Sequence, residues 1–331
     1  MDRPGPRPGA LTLVIAAALL AAVAGVAAAG LGPLRGERWL AAGADTARAL
    51  GTRPAECLRL PRDPEAAYRV EVGRAAFRTP LLLGGQAARA GLACETCHKG
   101  GHANPDFDFP GVSGAPGTAD VTSSLFSSHR GDGVDNPKPI PDLGGPKGRL
   151  KVSQAPEGKA LERFIDGLVT QEFDGPEPPA GVIDSLAAYV RAMDPAACPS
   201  PAAERIGAAG ALDDARRAVR TARQALGRGQ AGTAALMIGS ARSQLGLIYE
   251  RYDGPALGSD RLALTAADRA LQAAADASRS GASDADALLA AWLAQSGRWS
   301  DRILADEPRS LFAPRRLDRL KPEHNRRPAA S

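Results

Sequence analysis

Cys94-Glu95-Thr96-Cys97-His98 is the stretch on which the reading of this chain turns. The order C-x-x-C-H is the attachment signature of c-type haem: two thiols add across the vinyl groups, and the histidine beside them supplies the proximal nitrogen to iron. Cys-x-x-Cys also occurs in zinc sites and in dithiol redox motifs. A zinc site needs two further ligands, and the remaining cysteines, Cys57 and Cys198, are isolated and distant. A redox motif starts a helix in a strand–helix alternation, and no such alternation surrounds this segment. The expectation is one covalent haem c on Cys94 and Cys97, with His98 as the proximal iron ligand.

The first forty residues read as a targeting segment. Arg3 and Arg7 precede an uncharged stretch, almost wholly apolar from Ala10 to Ala29, that Arg35, Glu37 and Arg38 close. A cleaved signal has an apolar core of roughly 7–15 residues, and a spanning helix needs about 20. The expectation is an uncleaved signal anchor; Ala27-Ala28-Ala29 also suits a signal peptidase, so cleavage is the alternative. Basic residues before the apolar run keep the N-terminus in the cytoplasm. The rest then lies on the periplasmic side of a bacterial inner membrane, where c-type haem is attached. Disulfides persist in that compartment, and Cys57 and Cys198, which bracket the haem motif, are expected to pair. The net charge of +4 and an aromatic content of 4% give no basic stripe interleaved with rings, so nucleic acid is not an expected partner. The expected partners are periplasmic redox proteins, with the membrane reached through the N-terminal helix.

The pattern predicts an all-α chain in four regions. Residues 1–40 are the anchor or signal. Residues 54–200 are a haem domain of the cytochrome c kind. Residues 202–305 are a helical bundle, and residues 306–331 a disordered basic tail. In the haem region, helices are expected from Asp63 to Phe77, ahead of Cys94, from Gly158 to Val169, and from Ala180 to Ala192. A long loop with turn-forming pairs such as Asn104-Pro105 and Asn136-Pro137 spans Gly100 to Gly148. Gly73 and Phe77 on the first helix and Tyr189 on the last are placed to let these helices cross closely. The second region carries four apolar stripes at steps of three and four: Leu212 to Leu226, Ile238 to Tyr252, Leu264 to Ala274, and Leu288-Trp292-Gln295-Trp299. Short connections make neighbours antiparallel, which predicts an up-down four-helix bundle.

The runs Val72–Gly85 and Gly91–His98, with Ile140-Pro141-Asp142-Leu143, Leu161–Ile165 and Ser185–Val190, resemble haem domains of the bacterial di-haem cytochrome c peroxidase and MauG superfamily. The likeness covers about residues 65–197. It implies Cys94 and Cys97 as haem tethers and His98 as proximal ligand. That family carries two haems and passes electrons between them, whereas this chain has a single C-x-x-C-H. The family's methionine ligand has no counterpart between Asp166 and Pro179.

The sixth iron ligand separates a carrier from a catalyst, because axial ligation sets both potential and access. His129, 31 positions beyond His98 in a loop, is the leading distal candidate. An open or water-bound site is the alternative, and Met193, after the last helix, is a further candidate. His102 stands on the proximal side if the helix continues past His98. The leading expectation is a membrane-tethered mono-haem electron carrier. The alternatives are a peroxidase-like haem enzyme with an open distal face, and a haem-based sensing module.

Overall fold

Asp63 and Pro64 show how local chemistry starts the first long helix. The computed structural model describes residues 34–41, 43–121, 125–129, 134–146, 150–198 and 203–320. Before that helix, Arg35–Trp39 makes a single 3-10 turn, α1 covers Thr46–Gly51, and β1 covers Thr52–Pro54. In α2, Pro64–Phe77, the Asp63 carboxylate accepts from Ala66 N–H, and the proline stands where no amide hydrogen is needed. The short α3, Gly85–Ala90, ends on Gly91 in the left-handed region, and α4 is the single turn Cys94–Cys97. The chain is mostly helical.

The expected anchor falls on residues that lie outside the described ones, save for its last few. Arg35–Leu40 does not extend it: Trp39 and Leu40 are buried, and Leu40 bridges Phe107. Among the described residues no helix is long and apolar enough to cross a membrane.

After His98 come short two-stranded pieces: β2 (His98–Lys99) with β3 (His102–Ala103), and β4 (Thr118–Ala119) with β5 (Lys138–Pro139). Aromatic packing supports this long, turn-rich stretch where ladders are few. Phe109 stacks on Trp39 at 5.7 Å and meets Phe126 at 5.3 Å, and Phe126 meets Phe173 at 5.5 Å. Helix α5, Ala160–Gly167, runs into a π turn, Leu168–Glu172. The final helix of the region, α6 (Val182–Ala192), is joined to α5 by a two-pronged Arg191–Glu162 pair at 2.7 and 2.9 Å.

Helices α2 and α6 cross closely, as Gly73 and the aromatics predict. A Cβ at Gly73 would stand 2.0 Å from the Ser185 carbonyl oxygen, so only glycine admits this approach. Phe77 and Tyr189 fill the crossing with ring centroids 5.1 Å apart. The two ends of the region are tied as expected: Cys57 and Cys198 form a disulfide, Leu58 bridges Met193, and β1 pairs antiparallel with β6, Ala203–Arg205.

Four long helices follow: α7 (Ala208–Gly227), α8 (Ala231–Arg251), α9 (Gly258–Ser280) and α10 (Ala285–Asp306). Each packs on the next, and α10 returns to α7. The stripes expected on α7, α8 and α9 are buried apart from a half-exposed Leu226. On α10 the buried line is Ala285, Leu289, Trp292, Ser296, Ser300 and Ile303, and Gln295 is exposed. The difference has a polar cause: Arg216 of α7 lies across this face and donates to the Ser296 and Ser300 hydroxyls at 3.1 and 2.6 Å. Two small hydroxyls make room there for a guanidinium.

Helices α7 and α8 also pack on α2, and Ser240 of α8 donates to the Ala75 carbonyl at 2.8 Å. The tail departs from the disorder expected of its charge as far as Leu320. Phe312 and Leu317 are fully buried, and Pro314–Leu317 forms α11 against α1. Two apolar anchors outweigh the charge here; residues 321–331 lie outside the described ones.

Candidate functional site

The Cys94–His98 segment is held from both ends. Ala93 N–H donates to the Thr96 hydroxyl at 3.0 Å, and the Asn104 amide donates to the Thr96 carbonyl at 2.9 Å. The helical turn stops at Cys97 because the chain reverses at once. Gly100 and Gly101 have φ of +62° and +83°, the two positive values a tight two-residue hairpin requires. His102 is therefore carried back on β3 instead of forward on a helix. Its Nδ1 lies 3.1 Å from an Asp142 carboxylate oxygen.

The hairpin brings His98 its second-shell partner. Leu143 and Gly144 N–H groups both donate to the Gly101 carbonyl at 3.0 Å, which lays residues 140–144 across the hairpin. The Pro141 carbonyl then sits 3.0 Å from His98 Nδ1. A carbonyl can only accept, so Nδ1 carries the hydrogen and Nε2 keeps its lone pair. Burial pulls the imidazole down to about 4, against the Pro141 carbonyl and Asp142, which act in the other direction. The ring is neutral at pH 7, the form that ligates a metal.

Cys94 and Cys97 are free thiols packed against the core. Burial pushes both up to about 12, so neither is a ready thiolate for dithiol exchange. Both, like His98, keep some accessible surface. A four-ligand zinc site lacks its other donors: among the described residues no three His, Cys, Asp or Glu side chains gather as a metal site. Two unlinked thiols and a neutral imidazole, its far nitrogen oriented by a carbonyl, fit covalent haem with a histidine ligand.

The other candidates stand apart from this group. His129 is 65% exposed, with Nε2 3.7 Å from Asp174, on a loop pinned where Ser127 donates to the Gln171 carbonyl and Asp174 accepts from Ser128 N–H. Met193 is buried, and its sulfur packs on Gly101, where a Cβ would meet it at 2.7 Å.

No protein-family profile, characterised protein or solved structure matches the chain.

Sequence reasoning missed the ion network behind the site. Glu56, 3% exposed, accepts from the Tyr189 hydroxyl and from Arg74. Arg78 Nη2 lies 2.8 Å from Glu56 without hydrogen-bond geometry, and its Nε lies 3.7 Å from Asp214 of α7 and 4.0 Å from Glu95. Glu95, between the two cysteines, turns away from them and accepts from Gly100 N–H at 3.1 Å. Burial alone would raise Glu56, but Arg78 and Arg74, with the Tyr189 hydroxyl, hold it at about 2. One network thus joins α2, α6, the haem-motif loop and α7. No motif spells it, since each member reads in sequence as an ordinary solvated charge.

Proposed function

We propose that this chain is a membrane-tethered, mono-haem c-type cytochrome that transfers electrons on the periplasmic side. In this reading residues 54–200 form a cytochrome c-like domain, followed by an antiparallel four-helix bundle. Cys94 and Cys97 tether the haem, and His98 Nε2 is the proximal ligand. The haem supplies an iron that cycles between two oxidation states. The protein's part is to fix the ring: the Pro141 carbonyl sets its tautomer, and the hairpin sets its direction. The observation that carries the proposal is the 3.0 Å contact between His98 Nδ1 and the Pro141 carbonyl beside two free, half-buried thiols. The Cys57–Cys198 bridge agrees with an oxidising compartment.

Expression with a cytochrome c maturation system is expected to give a protein heavier by one haem. Cys94→Ala with Cys97→Ala should carry no covalent haem. A haem-free wild-type protein under those conditions overturns the proposal.

A second reading is favoured by the outward His129 and by the Met193 sulfur packed on Gly101. With His129 turned to Asp174 and Met193 against Gly101, no second protein ligand would be held to the iron, and the protein would act as a ligand-binding or peroxidase-like haem protein. Spectra separate the two. A low-spin ferric form unmoved by carbon monoxide after reduction supports the carrier, and a high-spin form that binds it supports the open site. If His129 swings in as ligand, His129→Ala turns low spin to high spin.

A further inference from the structure

A cavity of about 240 Å³ lies behind the haem-motif loop, on the side to which Glu95 and Thr96 turn. Its opposite wall is the first turn of α7, at Gly207, Gly210 and Ala211, with Arg251 from the end of α8. Six cationic side chains line it (Arg35, Arg53, Arg78, Lys99, Arg205 and Arg251) against three acidic ones, Glu95, Asp214 and Glu250.

The acids are already matched. Glu250 pairs with Arg35 at 2.8 Å, Glu95 with Arg53 at 3.7 Å, and Asp214 with Arg78 at 3.7 Å. Arg205 pairs with Glu307, which also caps the α7 N-terminus by accepting from Ala208 N–H at 2.8 Å. Lys99 and Arg251 remain, and among the described residues neither forms an ion pair. Lys99 donates to the Ala49 carbonyl, and Arg251 to the carbonyls of Leu50 and Leu311. Arg251 is 5% exposed, and its Nε has no hydrogen-bond partner. Lys99 feels the Asp106 and Glu95 carboxylates beyond ion-pair distance, and the Arg251 and Arg48 cations oppose them.

The Arg251 guanidinium also lies 4.7 Å over the Phe312 ring; a buried guanidinium whose direct partners are carbonyls and a ring is costly unless an anion joins it. We propose that this cavity binds a small multivalent oxyanion, of the phosphate or polycarboxylate class, between Arg251 and Lys99. Burial lowers Arg251 to about 10, with Glu250 and Glu37 acting in the other direction. The site uses none of the groups assigned to the haem, so it stands or falls separately from the proposed function.

Isothermal titration of the full chain as purified, at constant ionic strength, tests the proposal. Inorganic phosphate and citrate are the probes, and chloride is the control. One of the two probes is expected to bind at one site per chain, and the tighter of them names the class. Arg251→Met should weaken that binding at least about tenfold, as expected when one charge-assisted contact is lost. If Arg251→Met does not fold, Lys99→Met serves, since Lys99 gives up a single carbonyl bond. The proposal is overturned if neither probe gives saturable heat, if chloride matches them, or if the folded variants bind as the wild type does.

Discussion

At the scale of single residues, the buried network makes Glu56 a strong contributor to acid stability. Its folded pKa is held near 2, below the ordinary value of 4.5, by Arg78 and Arg74 against the cost of burial. A depressed carboxylate contributes stability that is fully present above its unfolded pKa and is lost as pH falls toward the folded one. The window is therefore pH 4.5 down to 2, with a contribution on the order of 3 kcal/mol. Glu71 and Glu95, which burial pushes up, carry the opposite sign, so a difference measurement isolates Glu56. Glu56→Gln should destabilise at pH 7 by roughly 3–5 kcal/mol, because Arg74 and Arg78 lose their counter-charge. It should also flatten the fall in stability between pH 4.5 and 2. Urea titrations of both proteins across that range check it; parallel curves would remove Glu56 from the account. The sequence marked Cys94, Cys97 and His98 as one group because the motif is contiguous. It could not mark Glu56, Arg78 and Asp214, whose meeting depends on three separate elements. His129 shows the reverse limit: its chemistry was legible, but its outward direction on a loop against Asp174 was not.

At the scale of elements, two glycines decide packing for different reasons. Gly73 has an ordinary helical backbone, and its need is space: a Cβ would enter the Ser185 carbonyl. Gly73→Ala should force α2 and α6 apart, with a cost of about 1–3 kcal/mol or more from overpacking. Gly101 needs both its positive φ and its space against the Met193 sulfur. Gly101→Ala should therefore disturb the hairpin that presents His98 to Pro141 and, under the proposed function, the yield of covalent haem. Denaturant midpoints of the two variants read the first effect, and haem content per chain reads the second. A Gly101→Ala protein with wild-type stability and haem content would show that the hairpin does not govern the site. The helices were legible from apolar periodicity, and the α2–α6 crossing from Gly73 with its aromatic partners. The hairpin was spelled by Gly100-Gly101 yet hidden by the apparent continuation of the motif's helix. The α10 stripe was misplaced because Ser296 and Ser300, polar in sequence, are the residues that face Arg216.

At the scale of the whole molecule, the region around Cys94–His98 and the C-terminal helices share contacts of a kind that a hinge lacks. Ser240 reaches the Ala75 carbonyl, the Tyr68 hydroxyl donates to Gln230 at 2.6 Å, and Arg228 stacks over the Tyr68 ring at 4.0 Å. The Glu56–Arg78–Asp214 charges cross the same boundary away from water. Separating the two parts would strand buried charge, so residues from Arg35 onward should unfold in one transition. The Cys57–Cys198 bridge acts on this unit mainly through the unfolded chain. It spans a sequence separation of 141, and on the chain-entropy account a loop of that length gives about 5 kcal/mol. The native ends stay together without it, through the β1–β6 ladder and the Leu58–Met193 bridge. Replacing both cysteines, Cys57→Ala with Cys198→Ala, should lower Tm by roughly 10 °C while leaving the near-ultraviolet spectrum of the native state unchanged. Calorimetry distinguishes the outcomes. A single, earlier transition supports one cooperative unit with its ends stapled, whereas two separated transitions would show that the C-terminal helices fold without the region around Cys94–His98 and that the buried charges between them do not couple the two.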